Sequence, residues 1–307
     1  MVSAVFHSPL EASSEARTGV VLKPPPVAVQ TKQAAAAALV VKPAKPAAMP
    51  SYDWGELMLK VFAPIAGIAL LVGIWALLTM KSTSFPTPAA TFAEAIKVFS
   101  DPFYSKGPND QGIGWNILFS LYRVAIGFGL AAAVGIPLGF LIGRFEVINH
   151  MTSPLISLLR PVSPLAWLPI GLLVFKAANP AAIWTIFICS IWPMIINTAV
   201  GVQRVPQDYL NVARVLNLSE WKVVTRILFP ATLPYVLTGI RLSIGVAWLV
   251  IVAAEMLTGG VGIGFWVWDE WNNLNVEHII IAIFVVGIVG LLLEQALLLV
   301  ARRFNYA

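Results

Sequence analysis

Five ionisable side chains lie within or close to the long apolar stretches of this sequence: Arg123, Arg160, Arg241, Glu255 and Glu294. Charge in an apolar membrane environment is costly, and such residues mark functional sites by default. Guanidinium groups would attract an anion, so Arg123 and Arg241, with Glu255, are the candidate residues of an anion path. The structural alternative is that each arginine reaches the polar surface or pairs with a carboxylate such as Glu255. An unpaired Glu255 would repel an anion, which favours a structural or gating role for it.

No arrangement typical of an enzyme accompanies these charges. The sequence contains no GxxxxGK[ST] phosphate-binding loop and no pairing of a nucleophile with a base. The three histidines, His7, His150 and His278, are far apart in the sequence and predict no metal site. We therefore expect a non-enzymatic chain without a cofactor, and any energy from ATP must come from a partner protein.

The composition places the chain in a membrane. Hydrophobic residues make up 58% of the 307 residues and charged residues 11%, and the mean hydropathy is +0.82. These values predict an all-α polytopic membrane protein. Six transmembrane helices are expected, at about 57–80, 117–142, 155–175, 181–202, 234–257 and 279–300.

The predicted organisation has three parts. Residues 1–50 are rich in Ala, Pro and Lys and predict a disordered cytoplasmic tail. Residues 51–111 contain the first span and an outer loop, and residues 112–303 form the main transmembrane domain.

Two spans carry patterns that predict how they pack. The second span has small residues at every fourth position, which predicts a face for close helix packing: Gly127, Ala131, Gly135, Gly139 and Gly143. The third span contains Pro161, Pro164 and Pro169. It is either a kinked helix or a broken helix that borders a water-filled path.

A polar segment at 204–230 separates the fourth and fifth spans. Asp208 and Ser219 are expected to cap two short helices, Asn217 to take a left-handed turn between them, and Pro230 to end the second. Tyr209, Val212, Ala213 and Leu216 fall at helical spacing and predict one apolar stripe. Such a segment between membrane spans predicts a docking surface.

The charges of the loops predict the orientation. Lysines and arginines concentrate before the first span, after the second, in the 204–230 segment and after the sixth, whereas the loop after the fifth span has no Lys or Arg. The positive-inside rule therefore places the 204–230 segment and both termini in the cytoplasm.

The 204–230 segment resembles the "EAA" coupling loop of importer-type ABC permeases, whose pattern is Glu-Ala-Ala, three residues, Gly, nine residues, Ile, one residue, Leu-Pro. The corresponding positions here are 211–213, Asn217, Ile227 and 229–230. The spacing is kept, while the Glu, the Gly and the Leu are replaced by Asn211, Asn217 and Phe229. The resemblance implies contact with a partner ATPase through Asp208, Asn211, Val212, Ala213, Arg214, Asn217, Leu218, Trp221, Ile227, Phe229 and Pro230.

From about Gly112 to Arg303 the chain resembles the nitrate/sulfonate/bicarbonate branch of these permeases, and the stretch from Ile244 to Asn272 is similar to nitrate permeases in particular. The resemblance implies a type I importer fold in the bacterial inner membrane. The implied partners are a second permease copy, ATPases that carry ATP and Mg, and a periplasmic or lipid-anchored binding protein. Nitrate is the first expected substrate, with nitrite and cyanate as co-substrates. Bicarbonate or taurine and other sulfonates are the alternatives within the family, and a stand-alone carrier or channel is the alternative outside it.

The outer loop after the fifth span has four glycines followed by a run of aromatic and acidic residues. An aromatic belt at the membrane surface is one interpretation. The family resemblance adds a second, in which Trp266, Trp268, Asp269 and Glu270 contribute to docking of the binding protein.

Overall fold

The computed structural model describes residues 54–82 and 85–304. The predicted tail at 1–50 lies outside the described residues. The chain divides into two units between Ala63 and Pro64, and the first contributes only the beginning of the first helix to the described residues. All helices after the first, with their contacts, lie within the second unit.

The regular elements of the described residues are helices, apart from an isolated bridge between Ser105 and Gln111. The helices are α1 (Trp54–Thr79), α2 (Pro88–Ser100), α3 (Ile113–Arg144), α4 (Glu146–Leu159), α5 (Pro164–Phe175), α6 (Ala178–Gln203), α7 (Gln207–Val215), α8 (Glu220–Val223), a π-helical turn (Val224–Leu228), α9 (Phe229–Thr258), α10 (Ile263–Asn272) and α11 (Val276–Phe304). The predicted all-α fold is confirmed.

Five of the described helical stretches are long and apolar enough to span a membrane, and the bent pair α4–α5 supplies a sixth if it counts as one span. The contacts at the helix ends favour that count. Gly127 of α3 lies against Ile186 of α6, and Gly143 lies against Val202, so the contacts advance together along both helices and the two run in the same direction. The chain must return across the membrane between them, and α4–α5 is the only connection.

The core forms where α3, α6 and α9 pack together. A Cβ atom at Gly127 would lie 2.7 Å from Ile186 Cβ, and one at Gly139 would lie 2.6 Å from Thr198 Cβ. No side chain fits at these contacts, so the small residues allow α3 to approach α6 closely. The packing face predicted for the second span is confirmed.

The third span differs from the single helix predicted at 155–175. It consists of α4 and α5, which meet at an angle of 99°. Ser163 begins α5 by accepting a hydrogen bond from the Leu165 N–H, and Pro164 occupies the first position of that helix. Proline disfavours helical backbone at the residue before it, and Ser163 is extended with a ψ of 137°, so α4 does not continue into α5. Of the two predicted interpretations, the broken helix is the one observed.

The polar segment between α6 and α9 also differs from the prediction. Pro230 does not end its second helix, because α8, the π-helical turn and α9 form one helical run from Glu220 to Thr258. Arg226, four residues before Pro230, lies within the π-helical turn. In a regular α-helix the ring of Pro230 would clash with the Arg226 carbonyl group. The wider π-helical turn makes room for that ring. The predicted caps differ in outcome. Asp208 does not cap α7, because Pro206 is the N-cap residue and Asp208 lies in the first turn. Ser219 is the N-cap residue of α8, as predicted, but its side chain makes no cap bond.

Candidate functional site

The link between α7 and α8 has a defined geometry. Asn217 has φ of 51°, the left-handed conformation predicted for it. The Leu218 N–H donates to the Ala213 carbonyl at 3.0 Å, and the Asn217 N–H donates to the Arg214 carbonyl at 3.0 Å. This pair of bonds is the Schellman motif, which ends a helix and satisfies its last carbonyl groups. The left-handed turn at Asn217 therefore sets the angle between α7 and α8.

The buried face of α7 is not the predicted stripe. Leu210 and Ala213 are 9% and 2% exposed and pack in a cluster with Val205, Val223 and Leu228. Of the four residues in the predicted stripe, Ala213 alone is buried, and the others are more than half exposed. The difference arises because α7 packs through Leu210 and Ala213, three positions apart, so neighbouring apolar residues point outward.

The outward residues form a surface that we call the coupling patch: Tyr209, Val212, Val215, Leu216 and Trp221. Their exposed fractions range from 56% for Val212 to 86% for Val215. The exposed cations Arg214, Lys222 and Arg226 belong to the same segment. Several large exposed apolar side chains within one short segment that also carries exposed cations are typical of a protein-binding surface.

The other predicted coupling residues lie in several environments. Asp208 is exposed in the first turn of α7, and Asn211 Oδ1 accepts a hydrogen bond from Arg214 Nη1 at 3.1 Å. Leu218 and Ile227 are half-buried beside the cluster beneath α7. Phe229 stacks on Phe140 of α3 with ring centroids 6.0 Å apart, and Pro230 is exposed at the start of α9. The last three positions of the matched pattern thus belong to the helical run rather than to α7.

At the opposite end of the bundle, Arg123 and Glu255 form a buried ion pair with 2.6 Å between Nη1 and Oε1. Their side chains are 8% and 1% exposed. Arg123 also donates to the Val261 carbonyl at 2.7 Å and to Asn179 Oδ1 at 2.8 Å. The pairing foreseen as the structural alternative is present, and a place for these residues on a substrate path stays a prediction.

The same network holds the start of α10. The N–H groups of Gly262, Ile263 and Gly264 donate to Asn116 Oδ1, Ser120 Oγ and Glu255 Oε2, at 2.9, 2.9 and 3.0 Å. The first N–H groups of a helix have no partner within the helix, and a carboxylate there is favourable to its dipole. Side chains of α3 and α9 therefore cap α10 from outside.

Sequence reasoning missed Asn116, Ser120 and Asn179. Asn116, Ser120 and Arg123 are spaced i, i+4, i+7 along α3, which places them on one face of that helix. This polar stripe at the start of an apolar span was a usable signal. The identity of its partners was not, because Glu255 is more than 130 residues away.

Arg241 has a different environment. It pairs with Glu294 of α11, and the two side chains are 50% and 43% exposed. Both line a cavity of about 650 Å³ that Pro164, at the start of α5, also borders. Thr238, Gly245 and Leu249 are exposed on the same helix, in the turns next to Arg241. Arg241 is thus a half-exposed cation beside a cavity at the broken helix, and its place on a substrate path stays a prediction.

The predicted outer docking residues separate into two groups. Trp268 and Asp269 are exposed on α10, whereas Trp266 is 9% exposed and stacks on His278 with ring centroids 5.6 Å apart. Glu270 Oε1 lies 2.9 Å from His278 Nδ1 and is also largely covered. The exposed surface of α10 is therefore formed by Trp268, Asp269, Trp271 and Asn272, of which Trp271 and Asn272 were not among the predicted residues.

Glu94 of α2 lies on the other side of His278, 3.4 Å from Nε2. A hydrogen bond from Lys97, at 2.6 Å, lowers the pKa of Glu94 below its usual value. Glu94 of α2 and Glu270 of α10 thus flank the imidazole of His278, which belongs to α11.

Comparison with known proteins identifies the class. The fold is similar to that of the MetNI methionine ABC transporter in its inward-facing conformation, with a TM-score of 0.57 and 13% identity over 62% of this chain and 94% of that one. The nitrate import permease protein of Synechocystis sp. is 49% identical over 77% of this chain and 86% of its own length. That of Leptolyngbya laminosa is 50% identical over 76% and 84%. The bicarbonate transport system permease protein of Synechococcus elongatus is 44% identical over 79% and 88%. Residues 135–306 match the family of binding-protein-dependent transport system inner membrane components. The chain therefore belongs to this family, as a multi-pass permease of the nitrate and bicarbonate branch of ABC importers.

Proposed function

We propose that this chain is the permease subunit of an ATP-driven nitrate importer and that it works by alternating access. Two copies would enclose the path, each would hold a cytoplasmic ATPase, and an outer binding protein would deliver the anion. ATP and Mg would bind to the ATPases and not to this chain. The coupling patch is the observation that carries the proposal, because a membrane protein that works alone has no need of an exposed apolar surface outside the membrane.

The positions of the cations support the proposed orientation. Arg144, Arg214, Lys222 and Arg226 are at the end of the bundle that carries the coupling patch, as the contact between Arg144 and Glu220 requires. The positive-inside rule supports a cytoplasmic location for that end. The six-span count supports the same side for both ends of the spanning region, and hence cytoplasmic termini.

The proposed path runs along the exposed face of α9. Arg241 would attract the anion into the space that the two copies share, and Glu294 would limit how tightly the cation holds it. Modest affinity at this point suits transport, because an ion that binds too strongly is not released. Selectivity would come mainly from the binding protein.

Nitrate is the proposed substrate because two nitrate import permeases are 49% and 50% identical to this chain, against 44% and 42% for two bicarbonate permeases. A third nitrate import permease, from Synechococcus elongatus, is 44% identical. Bicarbonate is therefore the second candidate. Both are small planar oxyanions with one negative charge, which a single guanidinium group can hold in the same way.

The test is reconstitution of the permease with its ATPase and its binding protein in proteoliposomes. ATPase activity is measured while nitrate, bicarbonate or taurine is titrated, and uptake of isotopically labelled nitrate is followed in parallel. Stimulation and uptake with nitrate are expected. Stimulation by bicarbonate alone would identify bicarbonate, and not nitrate, as the substrate. Anion flux from the permease without any ATPase would contradict the assignment to ATP-driven importers.

A further inference from the structure

An apolar groove of about 710 Å³ lies between the last turns of α3 and the helical run that starts at Glu220. We call it the inner groove. Its walls include Pro137, Phe140 and Leu141 on one side and Trp221, Val224 and Phe229 on the other. Its volume is that of a typical small-molecule site, and it is separate from the cavity beside Arg241.

The depth of the inner groove decides what reaches it. Ile136 lines one end and Arg144 the other, and eight residues of α-helix separate them, about 12 Å along the axis. Arg144 is the last residue of a 32-residue membrane helix, so it marks the polar surface of the membrane. The other end of the groove therefore lies among lipid acyl chains, at a depth that a water-soluble ATPase does not reach.

The charge at the open end is positive. Arg144, Lys222 and Arg226 are present there or on the adjoining turns, against the two carboxylates of Glu220 and Glu146. Glu220 accepts hydrogen bonds from Arg144 Nε at 3.3 Å and Nη2 at 3.0 Å. Within the part of the chain that the structure describes, these bonds leave the hydrogens of Arg144 Nη1 for another acceptor.

We propose that the inner groove binds an anionic phospholipid, with one acyl chain between α3 and the π-helical turn and the phosphate at Arg144, Lys222 and Arg226. An apolar chain beneath a phosphate matches the apolar walls and the cationic end. The π-helical turn borders the groove through Val224 and Thr225, so the lipid also supports the base of the coupling patch. This assignment rests on the proposed function in one respect, the cytoplasmic location of the groove's open end. It does not depend on which anion is transported.

The experiment places the full-length permease in nanodiscs that contain phosphatidylglycerol or phosphatidylcholine with a photoactivatable group on one acyl chain. After illumination, labelled peptides are mapped. Phosphatidylglycerol is expected to label two segments that are distant in the sequence, around 136–145 and around 220–229. Phosphatidylcholine is expected to label them several-fold less, since its headgroup has no net charge.

Two pairs of variants make the test specific. Leu141→Trp fills the groove from an exposed position on α3, and Leu138→Trp, one turn away and outside the groove, is its control. Labelling should be lost in the first and kept in the second. Lys222→Gln and Arg226→Gln should each lower labelling by phosphatidylglycerol about fivefold, the effect expected of one basic residue at an anionic surface. Arg303→Gln, exposed at the end of α11, should not lower it.

Three outcomes would overturn the assignment. Equal labelling by the two lipids would show that the anionic headgroup is not recognised. Labelling that persists in Leu141→Trp would show that the lipid does not occupy the inner groove. If adding the ATPase, or crosslinking to a second permease copy, displaced the label, a protein would be the natural occupant. None of these outcomes bears on uptake of nitrate, so failure of this proposal and failure of the proposed function are distinguishable.

Discussion

Arg123→Met is the substitution that most directly tests the buried network. It removes the donor of three hydrogen bonds, to Glu255, Val261 and Asn179, and leaves a carboxylate that is 1% exposed without its counter-ion. Loss of one partner from a buried ion pair costs about 3–5 kcal/mol. Ser120 and the Gly264 N–H still donate to Glu255, so we expect the lower end of that range, about 3 kcal/mol.

The free energy of unfolding is measured by denaturant titration of the purified full-length permease in mixed micelles. Arg241→Met is the matched control, because it removes the same group from an ion pair that is about half exposed. We expect that control to cost about 1 kcal/mol or less. A double-mutant cycle with Glu255→Gln, which retains an acceptor for the Gly264 N–H, isolates the pairwise interaction of Arg123 with Glu255.

Hydrogen exchange locates the effect. Since the first three N–H groups of α10 are held by this network, Arg123→Met should speed exchange in 259–272 much more than in α7. The reasoning would be refuted if Arg123→Met cost no more than Arg241→Met, or if exchange rose equally throughout the chain.

The remaining predictions concern α7, the cavity and the turn. Val212→Asp, on the coupling patch, should reduce ATPase stimulation and uptake without lowering the yield of folded permease. Ala213→Asp should lower the yield, because Ala213 is 2% exposed and a carboxylate there would be buried. Equal yields of the two variants would contradict the assignment of the exposed and buried faces of α7. Arg241→Ala should lower nitrate uptake in proteoliposomes several-fold while Arg303→Ala leaves it unchanged, and unchanged uptake in both would make Arg241 structural. Asn217→Val should destabilise α7 by about 1–2 kcal/mol, since a β-branched residue is strained at positive φ. Limited proteolysis should then show faster cleavage within 204–219. Asn217→Gly is the control and should be as resistant to the protease as the wild type.

The sequence predicted those features that depend on local periodicity. The small residues of α3 recur at every fourth position, and the face they form packs on α6 as expected. The left-handed turn at Asn217 was also predictable, because few residues other than glycine tolerate it. Both features are encoded within a few turns of one segment.

Features that depend on contacts between distant segments were not predictable. Three consecutive N–H groups of α10 are bonded to side chains of α3 and α9, and no spacing in the sequence relates those helices. Similarly, Tyr209 and Leu216 fall on a plausible apolar stripe, yet Leu210 is the residue through which α7 packs on the buried cluster. Periodicity identifies a helical face but does not say which neighbouring helix will cover it.

The continuity of the chain through Pro230 determines how the coupling patch can act. A break at that proline would have let the entire 204–230 segment move independently of the membrane helices. Instead, the helical run from Glu220 to Thr258 carries Trp221 of the coupling patch near one end and Glu255 of the buried pair near the other, about 50 Å away along the axis. The link from Leu216 to Ser219 is then the non-helical joint between α7 and that run, and the Arg144–Glu220 ion pair joins the run to α3. We therefore expect a displacement of Trp221 by a partner to be transmitted along α9 towards the Arg123–Glu255 pair, while α7 changes its angle at Asn217.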